Sequence, residues 1–203
     1  CNTASAKALR TIQQRDLPML DPSRRVLGII RPTAETIGNL TESRHIGVLA
    51  TEGTIKSQSY SMEIRKLFPD IHVSGVACPL WAAIVEAGEA DSPGADYFVK
   101  KRIDQLMRKD PLIDTIILGC THYPLLMSSV VKNVPKGVRI MSQGTYVANS
   151  LADYLKRHPE MERIITQGGT CRYLTTESEE RFSETARIFL HEDVTVNHVD
   201  LTE

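Results

Sequence analysis

The order of apolar segments along the chain constrains its fold more than any other feature. Short runs rich in β-branched residues alternate with longer segments in which apolar residues recur every three or four positions. This alternation is typical of α/β proteins, in which strands form a mainly parallel sheet and helices flank it. The predicted strands are residues 26–30, 45–50, 71–75, 115–118, 138–141, 163–166 and 194–199.

Three segments carry a clear helical stripe of apolar residues. We interpret the stripes as buried core and assign them no functional role. The stripes consist of Tyr60, Ile64, Leu67 and Phe68, then Val99, Ile103, Leu106 and Met107, then Phe182, Ala186, Phe189 and Leu190.

Composition points to a globular protein with a small-molecule substrate. The 203 residues carry a net charge of −1, with no polybasic run and no acidic tail, so neither a nucleic acid nor a membrane surface is favoured as a partner. The four cysteines lie far apart, which favours reduced thiols in a cytoplasm over a disulfide framework or a zinc ribbon. The sequence also lacks a recognisable pyridoxal lysine site or metal-ligand cluster, so we expect no cofactor and no metal.

Two short segments carry the same chemistry. Cys-Asn-Thr-Ala-Ser at residues 1–5 and Leu-Gly-Cys-Thr-His-Tyr-Pro-Leu at residues 118–125 each place a cysteine and a threonine at the mouth of a predicted helix. The free backbone N–H groups of a helix N-terminus bind carboxylates and lower the pKa of a thiol. Together the two segments predict one pocket in which two thiols face each other.

Cys120 has the clearer local context of the two cysteines. It follows a predicted buried parallel strand, and the carboxyl ends of such strands are where open α/β sheets bind ligands. His122 could donate a hydrogen bond to the thiolate or hold a proton near it. The alternative is a buried structural cysteine followed by a surface histidine; the strand-to-helix context and Thr121 favour the functional interpretation.

Neutral hydrogen-bond donors lie in the same segments. Asn2, Thr3 and Thr121 could orient a substrate carboxylate without a cation that would neutralise a neighbouring thiolate. A third polar turn, Ala-Thr-Glu-Gly-Thr at residues 50–54, follows another predicted strand. Its Thr51 is interpreted equally well as a helix cap and as a substrate contact.

Glu86 is the candidate auxiliary acid. It follows the apolar residues Trp81, Ile84 and Val85, and a carboxyl group in apolar surroundings tends to stay protonated and to relay protons. A solvated helix end is the simpler interpretation, and Glu89 is a competing candidate for the acid.

The order of four motifs resembles that of bacterial glutamate racemases. They are Cys-Asn-Thr-Ala at residues 1–4, Ala-Thr-Glu-Gly-Thr at 50–54, Val-Glu-x-Gly at 85–88 and Gly-Cys-Thr-His-Tyr-Pro-Leu at 119–125. The resemblance implies two similar lobes, each a mainly parallel sheet flanked by helices, with the active site in the cleft between them. It also implies a cofactor-independent racemase that supplies D-glutamate for peptidoglycan.

The resemblance assigns roles to individual residues. Cys1 corresponds to the thiolate that removes the α-proton of D-glutamate, and Cys120 to the one that removes it from L-glutamate. Two bases are needed because a planar carbanion reprotonated by the group that formed it returns the original enantiomer. Glu86 and His122 resemble auxiliary acid and base groups. The residues that resemble the substrate-binding set are Asn2, Thr3, Thr51, Thr54 and Thr121.

The sequence departs from the family pattern in two places. The Asp-Ser-Gly turn that precedes the first cysteine in the family is absent, and Arg-Pro-Thr at residues 31–33 replaces an acidic-Pro-Gly segment. We therefore expect a missing N-terminal portion and a catalytically silent chain as written. Residues 1–32 and 142–203 are assigned to one lobe and residues 33–141 to the other. The family resemblance adds an expected homodimer.

Two other functions remain open at this stage. An aspartate racemase would share the two-cysteine lobes, but such enzymes resemble this motif with an acidic residue in place of His122. A non-catalytic or gyrase-interacting fragment is the alternative from a different class, since some glutamate racemases bind DNA gyrase.

Overall fold

The structure is a computed structural model that describes residues 1–201 and contains six strands in that range. The strands are β1 His45–Ala50, β2 His72–Ala77, β3 Thr115–Gly119, β4 Arg139–Ser142, β5 Tyr173–Thr175 and β6 Val196–His198. The first four form one parallel sheet in the order β2-β1-β3-β4, and the other two pair with each other, also in parallel.

Helices connect the strands and flank the sheet. They are α1 Asn2–Lys7, α2 Leu9–Thr11, α3 Leu17–Leu20, α4 Ile30–Ile37, α5 Glu52–Ser57, α6 Ser59–Leu67, α7 Trp81–Glu86, α8 Pro93–Lys109, α9 Met127–Asn133, α10 Gln143–Arg157, α11 Pro159–Ile164 and α12 Glu179–Leu190. A π-helical turn at Ile12–Asp16 and a 3-10 turn at Tyr123–Leu126 complete the helical segments. Across residues 1–201, no helix combines the length and the apolar character needed to cross a bilayer.

The core lies on both faces of the four-stranded sheet. All five residues of β3 are buried, and their side chains alternate between the two faces. Ile116 and Leu118 join the cluster under α7 and α8, whereas Ile117 joins the cluster under α4 and α6. The sheet is therefore covered on both sides, as the continuous apolar character of its strands predicts.

A partly buried carboxylate, that of Asp114, fixes the amino end of β3. Partial burial acts to raise the pKa of Asp114, but the hydrogen bonds it accepts outweigh that effect and hold the pKa at about 2. The donors are the backbone N–H groups of Ser43 and Glu42 and the hydroxyls of Thr41 and Thr115, at 2.6, 2.7, 2.7 and 2.9 Å. This clamp ties the start of the strand to the loop before β1.

The predicted fold class, α/β with a mainly parallel sheet flanked by helices, is confirmed. The predictions for residues 45–50, 71–75, 115–118 and 138–141 coincide with β1 to β4 to within two residues at either end, and β6 lies inside 194–199. Two strand predictions are wrong. Residues 26–30 lead into α4, and residues 163–166 include the end of α11. Strand β5 was missed because it has three residues and a single partner.

Candidate active site

Parallel pairing brings two of the predicted polar turns to one edge of the sheet. Ala50, the last residue of β1, pairs with Gly119, the last residue of β3. Thr51 and Cys120 therefore leave the sheet side by side at its carboxyl edge. Glycine suits this position because a Cβ atom on Gly119 would lie 3.0 Å from the Cβ of Ala50.

Cys120, His122 and Glu86 form a chain of contacts at this edge. The Nδ1 atom of His122 lies 3.7 Å from the Cys120 Sγ, and its Nε2 lies 2.8 Å from the Glu86 Oε1. When the imidazole carries its proton on Nε2, it donates to the carboxylate and leaves Nδ1 free to accept a proton from the thiol. The geometry of these contacts suits the transfer of a proton from the sheet edge toward solvent.

The Cys120 thiol is more buried than its position at a helix mouth suggests. It is 9% exposed, and this burial raises its pKa. Backbone N–H groups of His122 and Thr121 lower the pKa without reversing the shift, so the predicted net lowering is wrong for this thiol. A base that removes the thiol proton is therefore useful, and His122 is in place to act as one.

Cys1 has a different environment from Cys120. It caps the N-terminus of α1, its side chain is exposed, and its carbonyl accepts a hydrogen bond of 3.0 Å from the Ser5 N–H. The Oγ1 of Thr3, two residues further on, lies 2.9 Å from the Oγ1 of Thr51, which leaves the sheet beside Cys120. The two cysteine segments, 119 positions apart in the sequence, thus lie at the same edge of the sheet.

Three predicted binding residues form a cluster of hydroxyl groups that links the Cys1 segment to the turn at residues 50–54. The Oγ1 of Thr3 lies 2.9 Å from that of Thr51 and 3.3 Å from that of Thr54, which are 3.0 Å apart. Thr51 also caps α5, since its Oγ1 accepts a hydrogen bond of 3.4 Å from the Thr54 N–H. The capping interpretation of Thr51 is confirmed. Three neutral hydroxyls converge on this point.

Asn2 belongs to a buried network that sequence patterns did not reveal. It is 2% exposed, and its Nδ2 donates to the hydroxyl of Tyr60 and to Oε1 of Gln143, both at 2.6 Å. The Gln143 Nε2 donates in turn to Tyr60 and to Thr33. Among residues 1–201 the Asn2 Oδ1 has no hydrogen-bond partner. Tyr60 had been assigned only to the core, and no motif signals Gln143.

The remaining predicted residues are more exposed than expected. Glu86 ends α7 with its side chain 52% exposed, so the apolar surroundings predicted for it are absent. Its contact with His122 nevertheless distinguishes it from Glu89 as the candidate auxiliary group. The Thr121 side chain is exposed, and its backbone N–H is the group directed at Cys120. Within the described part of the chain, no three His, Cys, Asp or Glu side chains are arranged to hold a metal ion.

A parallel α/β sheet with two cysteine segments at its carboxyl edge agrees with the class that sequence comparison identifies. The chain belongs to the Asp/Glu/Hydantoin racemase family, whose sequence profile matches residues 1–151. It is 37% identical to a glutamate racemase of Ruegeria sp. (strain TM1040), over 96% of this chain and 73% of that protein. It is 33% identical to a glutamate racemase of Latilactobacillus sakei, over 99% of this chain and 70% of that protein.

Solved structures give the same relationship. The fold superposes on a glutamate racemase of Bacillus anthracis with a TM-score of 0.85 at 33% identity, covering 99% of this chain and 72% of that one. It superposes on the glutamate racemase of Francisella tularensis, solved with D-glutamate, with a TM-score of 0.79 at 25% identity, covering 100% and 71%.

Proposed function

We propose that the protein is a cofactor-independent glutamate racemase that interconverts L- and D-glutamate. The observation that carries the proposal is the Cys120–His122–Glu86 chain of contacts at the same sheet edge as the Cys1 segment. The glutamate racemases that match almost the whole chain support the choice of substrate. The presence of His122 supports glutamate over aspartate, because it occupies the position where an acidic residue was expected in an aspartate racemase.

The proposed reaction is a proton transfer across the α-carbon. For L-glutamate, the thiolate of Cys120 accepts the α-proton as the Cα–H bond breaks, and the electron pair delocalises into the α-carboxylate. The thiol of Cys1 then donates a proton to the opposite face of Cα, which yields D-glutamate and leaves Cys1 as a thiolate. The reverse reaction exchanges the two roles, so protons balance over each turnover.

His122 and Glu86 are proposed to prepare Cys120 for this work. Burial disfavours the Cys120 thiolate, and transfer of its proton to Nδ1 of His122 offsets that cost. The Glu86 carboxylate, which accepts a hydrogen bond from Nε2, stabilises the imidazolium that results. The relay connects a buried base to a solvated carboxylate.

Neutral groups are proposed to hold the substrate. The hydroxyls of Thr3, Thr51 and Thr54 and the backbone N–H of Thr121 donate hydrogen bonds to carboxylates. The α-ammonium group is assigned to Oδ1 of Asn2, a buried acceptor that has no hydrogen-bond partner within residues 1–201. Fixed donors of this kind stabilise negative charge as it develops on the α-carboxylate, while adding no cation beside the thiolates.

The direct test follows each enantiomer of glutamate by circular dichroism in buffer with a chelator, for residues 1–203 alone and for a version that carries an Asp-Ser-Gly segment before Cys1. We expect the longer version to convert either enantiomer to the racemate, and in D₂O we expect deuterium to enter Cα of the product. Faster conversion of aspartate would favour the aspartate racemase alternative. Loss of activity on dialysis that pyridoxal phosphate or a divalent metal restores would reject the cofactor-independent mechanism.

The family membership extends the proposal beyond the reaction. D-glutamate production assigns the protein to peptidoglycan synthesis in the cytoplasm. We also propose a homodimer, and a lobe formed by residues 33–141 that moves as one body against residues 1–32 and 142–203. Light scattering of the purified protein tests the first of these, and hydrogen exchange resolved by segment tests the second.

A further inference from the structure

We propose, on the basis of the proposed racemase function, that Phe189 is a positioning residue that holds the imidazole of His122 in the orientation needed to exchange a proton with Cys120. Phe189 lies on α12, far from the catalytic motifs in sequence. Its ring centroid lies 5.0 Å from that of His122, and the two ring planes meet at 87°. This is the edge-to-face geometry that aromatic pairs favour.

The two polar contacts of His122 hold its ring loosely. The Cys120 Sγ lies 3.7 Å from Nδ1, and the carboxylate that lies 2.8 Å from Nε2 belongs to the half-exposed side chain of Glu86. Rotation of the ring about its Cβ–Cγ bond carries Nδ1 away from the thiol. A phenyl ring packed at right angles against the imidazole restricts this rotation, and Phe189 supplies it.

Phe189 also connects α12 to the catalytic edge of the sheet. It packs against the core cluster that contains Cys120 and Tyr123. Beside it lies an apolar cavity of about 270 Å³, which Phe182 also lines from the same helix. A shorter side chain at position 189 can therefore lose contact with the imidazole while α12 stays in place. Substitution of Phe182 enlarges the same cavity.

The experiment compares Phe189→Leu and Phe189→Tyr with Phe182→Leu as the matched control. We expect Phe189→Leu to lower kcat by about threefold to tenfold, the range that corresponds to loss of an edge-to-face contact. The KM should change less than kcat, because Phe189 is not assigned to the substrate contacts. Phe189→Tyr keeps the aromatic ring and should retain kcat near that of the wild type. Phe182→Leu should lower the melting temperature to a similar extent without changing kcat.

A spectroscopic measurement separates positioning from general loss of packing. The nitrogen-15 shifts of the His122 ring report its tautomer, and a His122→Asn spectrum identifies them. We expect Phe189→Leu to change the proportion of the two tautomers, and Phe182→Leu to leave it unchanged. Since the equilibrium constant between enantiomers is unity, kcat/KM must fall equally in both directions, which checks the kinetic data internally.

The outcomes distinguish this inference from the proposed function. If Phe189→Leu matches Phe182→Leu in both kcat and the His122 spectrum, the positioning role is rejected. An unchanged His122 spectrum rejects it even in a protein that does not turn over glutamate. In a third outcome, the wild type fails to racemise glutamate, and the His122 spectrum changes in Phe189→Leu but not in Phe182→Leu. This outcome would support the role of Phe189 in orienting His122 and reject the racemase proposal.

Discussion

The two cysteine segments carry similar residues but lie in contrasting environments. Cys120 follows a fully buried strand and is itself buried, with a relay of His122 and Glu86 beside it. Cys1 is exposed and begins a six-residue helix in which Asn2 is the buried residue. A racemase needs comparable reactivity on both faces of its substrate. The contrast supports the proposal that the buried Cys120 thiol needs the adjacent His122 and Glu86 to lose its proton.

The largest expected effect comes from removing either base. Cys120→Ser and Cys1→Ser should each lower racemisation by about 10³-fold or more, because a serine hydroxyl is a far weaker acid than a thiol. Each variant should still exchange one α-proton with D₂O: that of D-glutamate for Cys120→Ser and that of L-glutamate for Cys1→Ser. Proton NMR measures this exchange, and Cys171→Ser, at an exposed cysteine, is the control. Near-normal turnover in either variant would contradict the two-base mechanism.

The second largest effect should come from weakening the contact between Glu86 and His122. Glu86→Gln keeps the size of the side chain but removes the charge that stabilises a protonated His122. We expect kcat/KM to fall roughly tenfold to a hundredfold, below the full range for a direct acid or base. Glu89→Gln, three residues further on, is the matched control and should retain wild-type kcat/KM. Equal effects of the two variants would favour the simpler interpretation of Glu86 as a solvated helix end.

Substitution of Asp114 tests whether the hydrogen bonds at the amino end of β3 keep the Cys120 segment rigid. Asp114→Asn should lower the free energy of unfolding at pH 7 by roughly 2–3 kcal/mol, because two hydroxyls and two backbone N–H groups lose a charged acceptor. Because the pKa of Asp114 is depressed to about 2, its contribution is present above about pH 4 and is lost as pH falls toward 2. The wild type should therefore lose about 2 kcal/mol over that window, and the variant should not show this loss.

Urea unfolding across this pH range measures both effects. Asp153→Asn, which removes an exposed partner of Arg157, is the control and should change little. Alkylation kinetics extend the test to the comparison of the two cysteines. Asp114→Asn should increase the rate at which Cys120 is alkylated and leave the rate at Cys1 unchanged. An equal change at both cysteines would show that β3 does not cause their difference in accessibility.

The smallest expected effect concerns the hydroxyl cluster between the segments. Thr51→Ala removes a helix cap and should cost about 1 kcal/mol of stability. It should also raise the KM for glutamate severalfold if the cluster binds a carboxylate. Ser92→Ala removes the corresponding cap of α8, where Ser92 Oγ accepts a hydrogen bond of 3.1 Å from the Ala95 N–H. It should cost the same stability without changing KM, so similar KM values would remove Thr51 from the binding set.

Sequence patterns predicted most of the sheet because its strands are buried and their signals are strong. Strands β1 and β3 read as continuous apolar runs, and the predicted boundaries agree closely. The errors fall where that signal is weak. Residues 26–30 contain β-branched residues but lead into α4, in which Pro32 is tolerated in the first turn. The three-residue β5 carries too short a pattern to recognise.

The sequence by itself determined the local chemistry at two strand ends. After one buried strand it places a cysteine and a histidine two residues apart, and after a second strand it places a threonine that caps a helix. These arrangements follow from short-range backbone geometry, which neighbouring residues control. The tertiary structure alone decided that Glu86 reaches His122, that Gln143 and Tyr60 hold Asn2, and that Phe189 packs on the imidazole. These partners lie 36 to 141 positions apart, and their meeting depends on how whole helices pack on the sheet. No single-sequence pattern encodes that packing.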